Sequence, residues 1–561
     1  GTSNAHVGYN AGQNASGSYN SFMGYQAGRG GTTSAPYSSG TYNTALGYQA
    51  LTAFTTGYQN VMIGPFTGDA ITTGQNNTAV GYAALSSEDT GTRNVAIGNE
   101  ALKVLNYDGA GYNVAVGHRA GYALTTGTVN TFIGAFAGGA TDDGTRNVVV
   151  GYSAMDTGNA GNDNIAIGYG ALADTTANTN IAIGSYSMIQ HTTGTRNIAI
   201  GYYTMGDTDA GSTSLGSTEN VFIGYTAGGG TWTDAASNYN VGIGHYVMDS
   251  ALDGATYNTA VGQAALSGIT TGDHNTTLGY KAGQNMTTGV YNVIIGSQAG
   301  DAASIGNYHV LIGAFAGSSI NSGDADGTTA IGYQAGQILT SGIGSTAIGY
   351  QALVSATDND YNTAVGARAL YSISGSSGTE GENNTAIGRY AGYNNTTGYS
   401  NVYVGGAAGF ANTIGNYNNF IGQSAGNALV DGTNSTYIGW YAAYNQTHGD
   451  NNVVVGHQAL YGSSGKGDLS ENVAIGYQSA HKAEAGYGIT AVGSRALRNI
   501  TPSGSLSTAI GYFSGFNASG SYNTFVGAEA GRGATTSAPF SSGTNNVAIG
   551  YQALRGFTTG H

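Results

Sequence analysis

Cysteine is absent from the 561 residues. That excludes disulfides, thiolate metal sites and a cysteine nucleophile. Proline occurs only 4 times among 97 glycines, so the chain reads neither as collagen nor as a proline-rich linker. Charge is also scarce, at 8% of residues against roughly 25% in an ordinary soluble domain. The formal charge of −15 is spread thinly, and the 15 basic residues are scattered along the chain. Nucleic-acid binding, which needs Lys and Arg gathered on one face, is therefore not expected. No apolar run approaches the ~20 residues of a membrane-spanning helix. The sequence starts at Gly1, and no leader segment is read in it. The expectation is a processed chain or a piece of a longer one, with export signal and anchor elsewhere.

What the chain has is a short repeat. The unit reads Asn-Thr-Ala-Ile-Gly-Tyr-Gln-Ala-Leu, followed by a polar stretch often ending Thr-Thr-Gly, with good copies starting at Asn43, Asn77 and Asn546. With the glycine after the aliphatic residue as position 0, 31 units run from Gly8 to Gly550, most often 17 residues apart. Nine-residue cores with β-branched residues and a central glycine make poor helices and reasonable strands with sharp corners. Units this short cannot bury a face alone, so they must stack. The expected fold is all-β: a parallel β-solenoid or β-roll of about 31 coils over residues 1–561. One lap per unit at ~4.8 Å gives a rod of about 150 Å.

Each column has a physical reason. Position −1 is Val, Ile, Leu or Met in all 31 units and is expected to form the solenoid core, as at Val80, Ile97, Ile133, Ile167, Ile200, Ile348, Ile475 and Ile549. Position −4 is Asn in 25 units. Stacked Asn77, Asn94, Asn147, Asn197 and Asn472 are expected to bond up and down a corner ladder. Glycine at position −7, as at Gly57, Gly127 and Gly398, is expected where the turn needs a positive φ. Position +3 is Ala in 25 units, where the wall leaves no room for more.

Two columns compensate. Position −2 is large in ten units, Phe22 and Phe132 among them, and position +4 is then Gly in nine and Ala443 in the tenth. Where +4 is Leu or Met, in 14 units, position −2 is Ala, Gly or Val. Overfilling or emptying a shared space is costly, so these columns should fill one layer. Positions −1 and −2 are both apolar yet point to opposite faces of a strand. One face fills the coil, and the other needs a partner, for which identical chains are the economical choice. A single wide coil with a flattened core is the alternative.

The Asn-Thr-Ala-Ile-Gly motif with Ala three residues later, as in 43–51 and 384–392, resembles the left-handed β-roll repeats of trimeric autotransporter adhesin heads. Its Gly-Tyr-Gln-Ala-Leu portion is similar to repeats of phage tail fibres and large bacterial surface proteins. The resemblance implies a homotrimeric fibre on a cell or virion surface, extracellular, binding a host or matrix. The 17-residue period, the Tyr after the mark and the lack of a visible coiled-coil stalk depart from that pattern. Residues 14–57 also match 517–560 at 33 of 44 positions, an offset of 503 residues, which points to a duplicated longer block.

No Ser, His and Asp group carries a nucleophile-elbow motif, and no zinc-helix motif or phosphate loop is present, so no catalytic residue and no cofactor is expected, and the chain reads as non-enzymatic. His118, His245 and His457 stand where Tyr usually sits. The pairs Asp142 and Asp143, Asp207 and Asp209, Asp324 and Asp326, and Asp358 and Asp360 could bind calcium, but they lack the nonapeptide calcium-roll motif and read first as solvated turns. Tyr48, Tyr82, Tyr169, Tyr202 and Tyr350 should form an exposed ladder that could grip glycans or a neighbouring fibre. The long-unit segments 29–42, 206–219 and 371–383 are further candidates for contact. Asn14 and Asn445 lie in glycosylation sequons. The other readings are a purely structural filament and an ice-binding solenoid; the latter needs flat Thr-x-Thr ranks, whereas Thr55 and Thr56 are adjacent in a turn.

Overall fold

In the computed structural model each repeat contributes one three-residue strand at positions −3 to −1, such as Thr78–Val80 and Val95–Ile97. The structure describes residues 1–561 except 209–215, 234, 303–305, 322–325, 376–378, 464–467, 485, 501–504, 535–540 and 560–561. Asp209 and Asp324, and parts of the segments 206–219 and 371–383, lie outside the described residues.

The chain forms two compact units, Gly1–Asn275 and Thr276–His561. In the first, the three-residue strands run from Ala5–Val7 to Thr259–Val261, each pairing in parallel with the next. In the second they run from Thr276–Leu278 to Val547–Ile549 in the same manner, with a two-residue side pair, Leu469–Ser470 and Gly486–Tyr487. Register joins like to like: Thr78 pairs with Val95, Ala79 with Ala96 and Val80 with Ile97. The fold is a parallel β-solenoid with one turn per repeat.

Between strands the chain turns by a repeated set of positive φ angles. In the coil of Gly81 they fall at Asn76 (59°), Gly81 (137°), Ala83 (50°) and Leu85 (54°). Left-handed non-glycine residues cost roughly 1–2 kcal/mol each, and such conformations persist where the surroundings over-determine them. Here the neighbouring coils do so. Asn76, Gly81 and Ala83 donate backward to Tyr58, Ile63 and Pro65 carbonyls at 3.1, 2.8 and 3.0 Å, while Leu85 donates forward to Ala101 at 3.0 Å. A Cβ on Gly81 would lie 2.3 Å from the Gly98 carbonyl oxygen, which explains the invariance of the mark. Glycine at position −7 has a different cause from the one expected. Gly57, Gly127 and Gly398 do not have positive φ; a Cβ there would meet the next coil's glycine carbonyl at 2.4, 2.2 and 2.5 Å.

The interior reverses the expected assignment of faces. Position −2 is the buried one: Ala79, Ala96, Phe132, Ala166 and Ala199 are all 0% exposed. The residues expected in the core face outward instead. Ile97, Ile133, Ile167, Ile475 and Ile549 are exposed, and Val80, Ile200 and Ile348 are half-buried. The reason is closure. The lumen is lined by positions −2, +3 and +4, and a three-residue strand turns only its central residue inward. The size compensation is steric in origin, because Cβ atoms on Gly138 and Gly531 would fall 2.3 and 2.2 Å from the rings of Phe132 and Phe525.

A further lumen column lies at position +7, which holds Phe54, Ile71, Leu105, Leu124 and Leu429 but also Glu88 and His191, all buried. The Glu88 carboxylate accepts from the Gly91 N–H at 2.6 Å and the Tyr107 N–H at 3.4 Å. Burial still dominates and pushes its pKa up to about 7.

Candidate contact surface

The Asn column at position −4 is the rigid edge on which the outer surface is built. Asn94 N–H donates to Asn77 Oδ1 at 2.9 Å, and Asn77 Nδ2 donates to the Gly91 carbonyl at 2.8 Å. Asn147 and Asn197 repeat the first bond against Asn130 and Asn180 at 2.9 Å, and Asn472 against Asn452 at 3.0 Å. All these side chains are buried. A buried amide that satisfies backbone groups of the next coil holds the register of the whole face.

The face so held has three features. The first is the outer side of the strands. Positions −3 and −1 hold no charged residue in any of the 31 units, and all the −1 residues are aliphatic. A shallow trough of about 320 Å³ lies on it over Val7, Met23, Thr44 and Leu46. The second is the Tyr column at +1. Tyr48, Tyr82, Tyr169, Tyr202 and Tyr350 are all exposed. Tyr25 stacks on Tyr48 at 5.1 Å, Tyr152 on Tyr169 at 5.5 Å, Tyr202 on Tyr225 at 5.2 Å and Tyr333 on Tyr350 at 5.7 Å. Tyr82 meets Phe66 edge-on at 5.9 Å. His457 takes the place of a Tyr and stacks on Trp440 at 4.9 Å. A second ring column at −5 was not legible as such, because its residues are left-handed: Tyr19 stacks on Tyr42 at 4.9 Å and Tyr239 on Tyr257 at 4.8 Å.

The third feature is an outer polar ladder at position −6, also missed in the sequence. Thr145 N–H donates to Asn162 Oδ1 at 2.8 Å, Thr256 N–H to Asp273 Oδ1 at 2.6 Å and Thr433 N–H to Asp450 Oδ1 at 2.7 Å. Several acidic residues considered for calcium belong to such coil-to-coil contacts. Asp360 accepts from the Ile343 N–H at 2.7 Å, Asp326 from the Asn307 N–H at 2.5 Å and Asp358 from Thr340 Oγ1 at 2.8 Å. Asp142 accepts from Thr125 Oγ1, and Asp207 from Thr231 Oγ1 at 2.8 Å. Among the described residues no three His, Asp or Glu side chains are grouped to hold a metal ion. Nor, among them, is any helix long and apolar enough to cross a membrane.

The matching segments 14–57 and 517–560 share local structure. Ala15 bridges Ser38 as Ala518 bridges Ser541, and the Phe22–Phe54 ring pair at 5.6 Å is matched by Phe525–Phe557 at 5.7 Å. No protein-family model and no curated protein matches the chain.

Proposed function

We propose that this chain is a non-enzymatic segment of an extracellular structural or adhesive fibre, in which identical chains pack through the outer side of their strands. One observation carries the reading: an aliphatic residue stands before every marked glycine, and those residues face outward. A continuous apolar stripe left in water promotes association. Its area is sufficient. At ~4.8 Å per coil and ~10 Å across three residues, fifteen coils present about 700 Å², close to the ~800 Å² per partner of a standard interface. The resemblance to trimeric adhesin heads favours three chains, at a cell or virion surface. The test is the native mass of the full chain in dilute solution. A particle of three chains is expected, with Ile97→Lys, Ile133→Lys and Ile167→Lys together giving a folded monomer. A wild-type monomer would overturn the packing.

A further inference from the structure

Three of the 15 basic residues, scattered in the sequence, meet in three consecutive coils of the second unit. Arg495 and Phe513 occupy position +2 of successive coils, and Arg498, Phe516 and Arg532 occupy position +5. The Arg495 and Arg532 guanidiniums lie 5.2 and 5.1 Å from the Phe513 ring centre, and Arg498 lies 5.7 Å from that of Phe516. The two rings are 4.7 Å apart, so three cations are held around one aromatic pair. Among the described residues neither Arg495 nor Arg498 forms an ion pair, and Arg532 pairs with Glu529 at 3.2 Å. Both are half-exposed, and Arg498 donates Nε to Gln478 Oε1 at 3.1 Å and Nη1 to Asn499 Oδ1 at 3.3 Å, which fixes its guanidinium in place. Burial and the neighbouring Arg495 charge lower the Arg498 pKa. Crowding like charges is unfavourable unless an anion joins them. A chain with a formal charge of −15 and 15 basic residues has no need to gather them for solubility.

The cluster is not an enclosed pocket: Arg532 borders an open hollow of about 370 Å³ together with Asn517 and Arg555. The cluster continues a track along the coil axis in which Tyr444 stacks on Tyr461 at 5.4 Å and Tyr461 on His481 at 5.1 Å. Small ligands need concave sites, whereas an open linear track fits a polymer. Single-stranded nucleic acid needs free ring faces for its bases, and here those faces are covered by arginines and by one another. Guanidinium edges repeating along the coils at ~5–10 Å suit a chain of carboxylates or sulfates.

We propose that Arg495, Arg498 and Arg532 form a binding track for an acidic polysaccharide. This deepens the adhesive reading by naming the chemistry of the partner, and it does not depend on how many chains assemble. The test is binding of the full chain to immobilised hyaluronan and dextran sulfate, with neutral dextran and single-stranded DNA alongside. The expected result is retention on at least one acidic polysaccharide, weakening as salt rises, and at least tenfold loss in Arg495→Gln with Arg498→Gln. Carboxylate against sulfate preference separates the two sources of anion. In unmodified protein, bound polymer should shield Arg495 and Arg498 from phenylglyoxal while leaving Arg146 reactive, a readout independent of variant folding. Absence of binding, equal binding to neutral dextran, tighter binding to DNA or an unshielded Arg498 would each overturn the proposal. The native mass would be unaffected, so failure here is distinct from failure of the fibre reading.

Discussion

At the scale of the residue, the fold rests on groups that cannot be exchanged for near neighbours. Gly81→Ala places a methyl against the Gly98 carbonyl at an angle L-residues avoid. A loss of ~2–5 kcal/mol is expected, read from the denaturation midpoint. Gly406→Ala, with nothing within 4 Å of its Cβ, should stay within ~0.5 kcal/mol of wild type. Asn77→Ala strands the Asn94 N–H and the Gly91 carbonyl, a loss of ~2–4 kcal/mol. Asn77→Ser should lose less, since Ser345 already serves at the same position, accepting from Asn362 N–H at 3.3 Å. Glu88 makes stability depend on pH. Its folded pKa of about 7 lies above the ordinary 4.5. The folded state therefore holds the proton more tightly, and the associated stability is complete below pH ~4.5 and fades as pH rises through ~7. The size is about 3 kcal/mol. Thermal melts across that range should show the fall in wild type and a much smaller one in Glu88→Gln.

At the scale of the element, one lap of the coil is a closed volume, and its columns must share it. Phe132→Ala empties the layer and Gly138→Leu overfills it, each at a cost of ~2–5 kcal/mol. Together they convert the coil into its other natural type, Ala at −2 with Leu at +4. A double-mutant cycle should give a coupling of ~1–3 kcal/mol in favour of the pair. This compensation also explains what could be read from sequence and what could not. Spacing alone disclosed the lap, the strand and the Asn column, because each has an invariant chemical demand. It left inside and outside ambiguous, since positions −1 and −2 are both apolar and a period of two says only that they oppose. The clue lay in size. Residues in a closed lumen must covary in volume, as Phe132 does with Gly138, whereas an open face needs only to stay aliphatic, as Ile97 and Val80 do. Position +7 escaped notice because its occupants range from Phe54 to Glu88, and the column at −5 because left-handed residues such as Tyr19 carry no glycine signature. The arginine track was invisible in one dimension, its members being 3 to 37 residues apart.

At the scale of the whole molecule, coils add. Removing residues 82–98 deletes one 17-residue lap and joins a coil with Ala79 at −2 to Leu102 at +4, a compatible pair. Circular dichroism should show an intact fold with a melting temperature within a few degrees of wild type, since stability is close to a sum over repeats and their interfaces. Removing 65–81 deletes the same length but sets Met62 against Leu85. That product should melt markedly lower although it differs by no more residues. If the two deletions behave alike, lumen volume does not govern which coils can be neighbours.

The Asn column has a mechanical consequence. Within either unit, each lap is fastened to the next by strand bonds and by the Asn amide bonds between the same two laps, so a pull along the axis loads these rungs in series. Stretching should proceed as a train of similar rips rather than one collapse, each paying out about 50–60 Å as 17 residues straighten. The coils of Ile489 and His309, whose side chains make no such bond, would yield before those of Ser345 and Ser435, which keep one.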